Sequence, residues 1–186
     1  MPTDKERFYV ALYARAGTCK MPGGEDKYHW SLLVGPKVEI EGSEGKRYHA
    51  RERMAFVQGQ AHSTWEFEER DTAMEATSMI LVRILIGKIK DQRRLASILE
   101  SVPIRGNQPG WNCVEWVKEA LEALGKDGKP LGTSITDWQT IRDTAMRYVQ
   151  HKEAEHRFDG LAQPGHFDMA RVPTFDLIEM NTEIAQ

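Results

Sequence analysis

Apolar and aromatic residues fall in short runs over the first half of the chain, broken by glycine, proline and charge. Residues 6–15 are aromatic and apolar and predict a strand. Residues 17–27 hold Gly17, Pro22, Gly23 and Gly24 and predict a loop. Residues 28–35, closed by Gly35-Pro36, predict a second strand, and a turn at 41–45 returns the chain into a third over 46–53. The stretch from Thr64 to Glu69 alternates with period two, as a half-exposed strand does. Residues 78–89 are β-branched and nearly continuously apolar, which fits a central, buried strand.

From Asp91 the period changes. Leu95, Ile98 and Leu99 have helical spacing, and such a helix ends before Pro103. Gln108-Pro109-Gly110 is a loop, and Asn112 is a suitable N-cap for a helix over 113–124. Val114, Val117, Ala120, Leu121 and Leu124 form its apolar stripe, and Gly125 is its expected stop. A further helix is expected from about 134 to 155, capped by Ser134 or Thr136. The tail from 157 contains Pro164, Gly165 and Pro173, with Val172 to Ile178 as a docked extended segment or short strand. Strands followed by helices predict an α+β fold with a mostly antiparallel sheet. The expected organisation is one domain over 1–186, its core about 6–124, with the helix and tail of 134–186 packed on it.

Composition narrows the classes. The chain has 186 residues, 40% hydrophobic and 28% charged, with net charge −3. That length buries roughly 70% of its unfolded surface without a disulfide or metal staple. No basic block argues for nucleic acid. The stretch Met1 to Arg7 is polar and lacks the apolar core of a signal peptide. The run from Met79 to Gly87 carries Arg83 and, at about nine residues, is too short to cross a bilayer. We therefore expect a cytoplasmic protein with no integral membrane segment, whose thiols, Cys19 and Cys113, are reduced. No CxxC, HExxH or clustered acidic set is present, so neither a metal nor another cofactor is expected.

The segment Trp111-Asn112-Cys113-Val114-Glu115-Trp116-Val117 carries the candidate chemistry. It places a thiol in the first turn of a predicted helix. The reactive form is the thiolate, with an ordinary pKa near ~8.5 that a helix N-terminus and an imidazolium lower. Backbone amides at that terminus, chiefly that of Cys113, can also hold an oxyanion. The competing reading is that Cys113 is a small buried hydrophobe. Of six histidines, His29 and His49 lie on successive predicted strands, where they can be cross-strand neighbours on one face. His29 would take the thiol proton and His49 would orient it, although either can equally be a satisfied strand residue. His62, His151, His156 and His166 fall in loops or charged contexts and are assigned structural roles. The Glu/Arg-rich stretch 66–70 is expected to be a solvated face.

Three motifs together, Tyr28-His29-Trp30-Ser31-Leu32-Leu33-Val34-Gly35, Tyr48-His49-Ala50 and Trp111-Asn112-Cys113-Val114-Glu115-Trp116-Val117, resemble the circularly permuted papain-like group. The resemblance is nearest to the lecithin retinol acyltransferase family and more distant to NlpC-like enzymes. It covers about residues 6–124 and implies Cys113 as nucleophile, His29 as base and His49 as the third member. The chain departs from the acyltransferases at Glu115-Trp116, where they carry Glu-His one position earlier. It also has a charged helix and polar tail where they have a membrane anchor, and both departures point away from a membrane lipid substrate.

The expected function is thus a thiol-dependent hydrolase or acyltransferase acting on an amide or ester through a Cys113 acyl-enzyme. Its substrate would be a small molecule, lipid or peptide, contacted by Trp30, Trp111 and Asn112. The segment 105–110 would form the rim of the site, and the tryptophans an apolar acyl pocket. Two alternatives remain: a catalytically inactive papain-like binding module, and a small biosynthetic enzyme that uses the apolar cleft without the thiol.

Overall fold

A computed structural model describes residues 4–186, so the first three residues of the polar N-terminal stretch lie outside it. The fold is α+β. Among the described residues, eight strands form one sheet: β1 (Arg7–Ala14), β2 (Tyr28–Gly35), β3 (Glu44–Val57), β4 (Gln60–Ala73), β5 (Ile80–Ile89), β6 (Leu131–Ser134), β7 (Thr174–Asp176) and β8 (Thr182–Ala185). Their order is β4-β3-β2-β1-β5-β7-β8, with β6 paired on β5. All ladders are antiparallel except β5 with β7. Three helices follow the long strands: α1 (Gln92–Ser101), α2 (Cys113–Asp127) and α3 (Trp138–Ala154).

Alternation sorts the central strands into two faces. Phe8, Val10 and Leu12 of β1, Trp30, Leu32 and Val34 of β2, and Val82, Ile84 and Ile86 of β5 join one core with the apolar stripe of α2 and with Ile141, Ala145 and Val149 of α3. The opposite face holds a smaller cluster of Tyr9, Ala11, Tyr13, Leu33, Met74 and Leu85. On that second face sit His29 and His49.

Local chemistry sets the helix ends. Asp91 caps α1 by accepting from the Arg94 amide at 3.0 Å, and α1 stops before Pro103 as expected. The structure corrects the end of α2. The helix runs through Gly125 to Asp127 and is closed by Gly128, whose φ of 69° suits a left-handed cap. Gly125 is needed for a different reason: a Cβ there would lie 2.6 Å from Thr136 Oγ1. The last helix is also corrected. Residues 131–134 pair with β5 as β6, so α3 begins at Trp138 under the cap of Asp137.

The largest departure from expectation is the β3–β4 hairpin. Its arms are 14 residues each and turn at Gln58-Gly59, where φ is 51° and 78°. Two successive positive φ values make the twist-compatible two-residue hairpin turn. Only the inner half of the hairpin joins the core; the tip leaves Met54, Phe56 and Val57 exposed. No described helix is long and apolar enough to cross a membrane.

Candidate active site

Cys113 is the first residue of α2. Asn112 adopts an extended conformation and its Oδ1 accepts from the Val114 amide at 2.9 Å, which starts the helix at the cysteine. Cys113 is 0% exposed. Burial pushes its thiol up from the ordinary value. The Trp30 amide, the charge of Arg15, and the amides of Cys113 and Val114 pull it back. The Trp30 amide belongs to the peptide that joins it to His29, so the start of α2 meets β2 beside the histidine. The β2–β3 ladder pairs only Leu32, Leu33 and Val34 with Tyr48, Arg47 and Lys46, leaving this stretch of β2 unpaired by β3. Among the described residues the thiol makes no side-chain hydrogen bond; both cysteines are free.

His29 and His49 face each other. Continuing the observed register sets His49 opposite Ser31, which makes His29 its diagonal neighbour on the same face. His29 Nε2 lies 2.6 Å from His49 Nδ1, with the rings edge to face. On the other side His49 pairs in register with Glu68, and His49 Nε2 lies 2.9 Å from Glu68 Oε1.

Two neighbours set the direction of these hydrogen bonds. Arg47 Nη2 is 3.2 Å from His49 Nδ1, and an arginine can only donate, so this nitrogen is an acceptor. The His49 proton is then on Nε2, where the Glu68 carboxylate accepts it. His29 must donate through Nε2, which leaves its Nδ1 with a free lone pair. Burial first, then the neighbouring charges of His49, Arg47 and Arg15, push His29 down to about 3. Burial, with Arg47, Arg51 and Arg70, does the same to His49, also to about 3. The Glu68 carboxylate beside His49 is shared with cations: Arg51 holds its other oxygen at 2.9 Å and Arg70 stands 3.9 Å away. At neutral pH both rings are therefore uncharged. The set consists of a neutral thiol and a neutral base rather than a preformed ion pair.

A cleft of about 360 Å³ opens onto the histidines, lined by Tyr13, Arg15, His29, Arg47, Arg51 and Trp65 among others. The Arg47 guanidinium stacks over the Tyr13 ring at 4.0 Å, which holds it against His49. Cys113 is not among the residues that line it.

The structure thus brings His29 and His49 together, while Cys113 packs in the core with Trp30 and makes no hydrogen bond to either ring among the described residues; nor does it gather the three expected substrate contacts. Trp30 is 0% exposed, packs on Trp138 and donates from its indole to the Glu25 carbonyl at 2.8 Å. It is core because it alternates with His29. Trp111 donates to Glu119 at 3.2 Å and lines a separate cavity of about 720 Å³ beside α2, with Arg105 and Gln108. The expected rim 105–110 belongs to that cavity too. Asn112 is committed to capping, and its amide nitrogen meets Met21 Sδ at 3.5 Å. Of the tryptophans, Trp65 alone lines the cleft.

Sequence reasoning missed Glu68, one of the charges assigned to a solvated face. The available signal was alternation: Glu66, Glu68 and Arg70 share a face, opposite Trp65 and Phe67. Among the described residues no group of three His, Cys, Asp or Glu is arranged to hold a metal ion.

No curated protein and no solved structure matches the chain. Residues 5–184 match the model of a family of unknown function (DUF6914), and since this match spans nearly the whole chain, the protein belongs to that family.

Proposed function

We infer that the protein is a thiol-dependent acyl-transfer enzyme with Cys113 as nucleophile and His29 as general base. The observation that carries this reading is the directed chain Glu68–His49–His29, which leaves His29 Nδ1 unprotonated, with Cys113 meeting the amide of the next residue, Trp30. In the proposed cycle His29 takes the thiol proton as the sulfur attacks the substrate carbonyl, and returns it to the leaving group. The acyl-enzyme is then released to water, an amine or an alcohol. His49 and Glu68 are positioning residues: they hold the tautomer, as the third member of a nucleophile–histidine triad does. Resemblance to the permuted papain-like enzymes supports the same three residues. The proposed setting is the cytoplasm, where the thiol stays reduced.

One observation favours a second reading. Cys113 is completely buried and unbonded to any side chain, as expected of a papain-like binding module without catalysis. Incubation with p-nitrophenyl butyrate followed by intact and peptide mass analysis separates the two. The enzyme reading expects release of nitrophenol and a butyryl group on Cys113, both lost in Cys113→Ala. Wild-type protein that releases no more nitrophenol than Cys113→Ala, with no adduct on Cys113, overturns it in favour of the binding module.

A further inference from the structure

The charges around the cleft are unevenly compensated. Arg51 is bound to both Glu66 and Glu68 at 2.7 and 2.9 Å. Glu52, the one carboxylate in the lining, accepts from Ser63. Arg15 and Arg47, in contrast, have no carboxylate partner among the described residues. Arg15 donates only to the Asp26 carbonyl at 3.2 Å. Arg47 rests on Tyr13 and His49, and its buried Nε has no acceptor. Elsewhere Arg83, Arg94, Arg105 and Arg142 are paired with Glu39, Asp127, Glu119 and Glu25, while Arg7 and Arg157 meet only backbone carbonyls and line no part of this cleft.

Both unpaired guanidiniums lie near the nucleophile. Arg15 is close enough to draw the Cys113 thiol down, and Cys113 in turn acts on Arg47. Two unmatched guanidiniums facing one open cleft, Arg47 half-buried and Arg15 exposed, are a site for an anionic oxygen group, which they can bind by charge-assisted forks. The cleft volume of about 360 Å³ is at the small end of ligand pockets, suited to a compact group rather than a long acyl chain.

We propose that the cleft selects short acyl substrates carrying an anionic oxygen group, carboxylate or phosphate-like, held by Arg15 and Arg47 a few bonds from the reacting carbonyl. This rests on the acyl-transfer reading for the word substrate, but the anion site itself is tested by binding alone.

Three isosteric p-nitroanilides make the test: succinyl (carboxylate), 3-phosphonopropionyl (phosphonate) and butyryl (neutral). Their affinities are measured by calorimetry on full-length Cys113→Ala, which keeps each ligand intact. The anionic ligands are expected to bind roughly tenfold tighter than the neutral one, the scale of one charge-assisted hydrogen bond. Comparing the two anionic ligands separates carboxylate from phosphate-like preference. Adding Arg15→Gln should bring all three within about twofold, while Arg15→Lys, which keeps the charge, retains most of the preference. Equal affinity for all three, no binding of any, or a preference untouched by Arg15→Gln overturns the proposal. Acylation of wild-type Cys113 by p-nitrophenyl butyrate is scored separately, so a failed anion site and a failed enzyme reading give different results.

Discussion

The two faces of β2 differ more than any two elements of the molecule. Trp30, Leu32 and Val34 point into the helices and pack on apolar side chains, with the Trp30 indole N–H satisfied by the Glu25 carbonyl. His29 and Ser31, interleaved with them, point to the other side, where His49, Arg47, Glu68 and Arg51 lie within hydrogen-bonding reach of one another. One face is built by excluding water from hydrocarbon. The other buries polar groups, a cost offset by the bonds among His29, His49 and Glu68 but not at Ser31 Oγ and Arg47 Nε, which have no hydrogen-bond partner among the described residues. The first face therefore carries stability, and the second holds proton positions. Cys113 belongs to the first by its packing and meets the second through the Trp30 amide.

Neighbouring substitutions on β2 break this comparison most directly. Trp30→Ala should destabilise the protein by about 3–5 kcal/mol, as large-to-small changes in a packed core do. His29→Gln should stay within about 1 kcal/mol of wild type, since it keeps a polar group of similar length on a hydrogen-bonded face. Urea unfolding measures both. Equal losses would mean that the two faces share the structural role. In esterase assays the order reverses for the folded variants: His29→Gln should lose roughly a hundredfold or more in kcat, the usual contribution of a general base.

Glu68→Gln tests the positioning chain without touching the base. The amide can meet His49 Nε2 with either its oxygen or its nitrogen, so the tautomer is no longer imposed. We expect kcat to fall by roughly ten- to a hundredfold with KM little changed, less than for the base itself. Glu68→Asp should recover part of the loss. A variant that raised KM alone would make Glu68 a substrate contact instead.

How much of this was legible in the sequence depended on how local the cause was. Residues 28–35 were recognisable as a strand because alternation and the Gly35-Pro36 break act within eight residues. The start of α2 at Asn112 was equally plain, since a cap needs only its own helix. The start of α3 was not, because the pairing of Leu131–Ser134 with β5 joins segments more than forty residues apart and displaces the cap to Asp137. Gly125 was misleading for the same reason: its constraint comes from Thr136, not from the helix it appears to end. The roles of Trp30 and Glu68 were present in the alternation. A tryptophan next to a histidine expected to act as a base suggests a pocket wall, yet period two sends it to the opposite face. A carboxylate among charges suggests solvent, until β3 sets His49 across from it.

Acid should affect the two faces unequally. Each histidine titrates near 6.5 when unfolded but at about 3 when folded. Between those values the unfolded chain binds protons that the folded chain refuses, so stability rises with pH and is lost as pH falls from 6.5 towards 3. Each ring contributes a slope of about 1.4 kcal/mol per pH unit at most. His49→Gln should reduce the slope between pH 4 and 6 by roughly that amount, and more if His29 is relieved as well. Trp30→Leu should lower the whole curve without changing its slope. A slope unchanged by His49→Gln would place the acid sensitivity elsewhere in the chain.

The smallest effect is expected at Ser31, where the polar face departs from its own rule. Its buried hydroxyl makes no hydrogen bond of ordinary length, although it lies beside the Tyr13 hydroxyl and continuing the register sets it across from His49. An unpaired hydroxyl adds nothing to the network and keeps its desolvation cost, so Ser31→Ala should leave stability unchanged or raise it by up to about 1 kcal/mol. If the hydroxyl instead joins the histidines once a ligand fills the cleft, the folded protein will show no loss while kcat falls. Urea unfolding and esterase rates on the same variant separate these outcomes. A clear loss of stability would mean that Ser31 is already bonded in the free protein and that the polar face is complete without a ligand. Stability held with activity lowered would extend the proton-positioning face by one residue, to a position where alanine is sterically harmless and chemically silent.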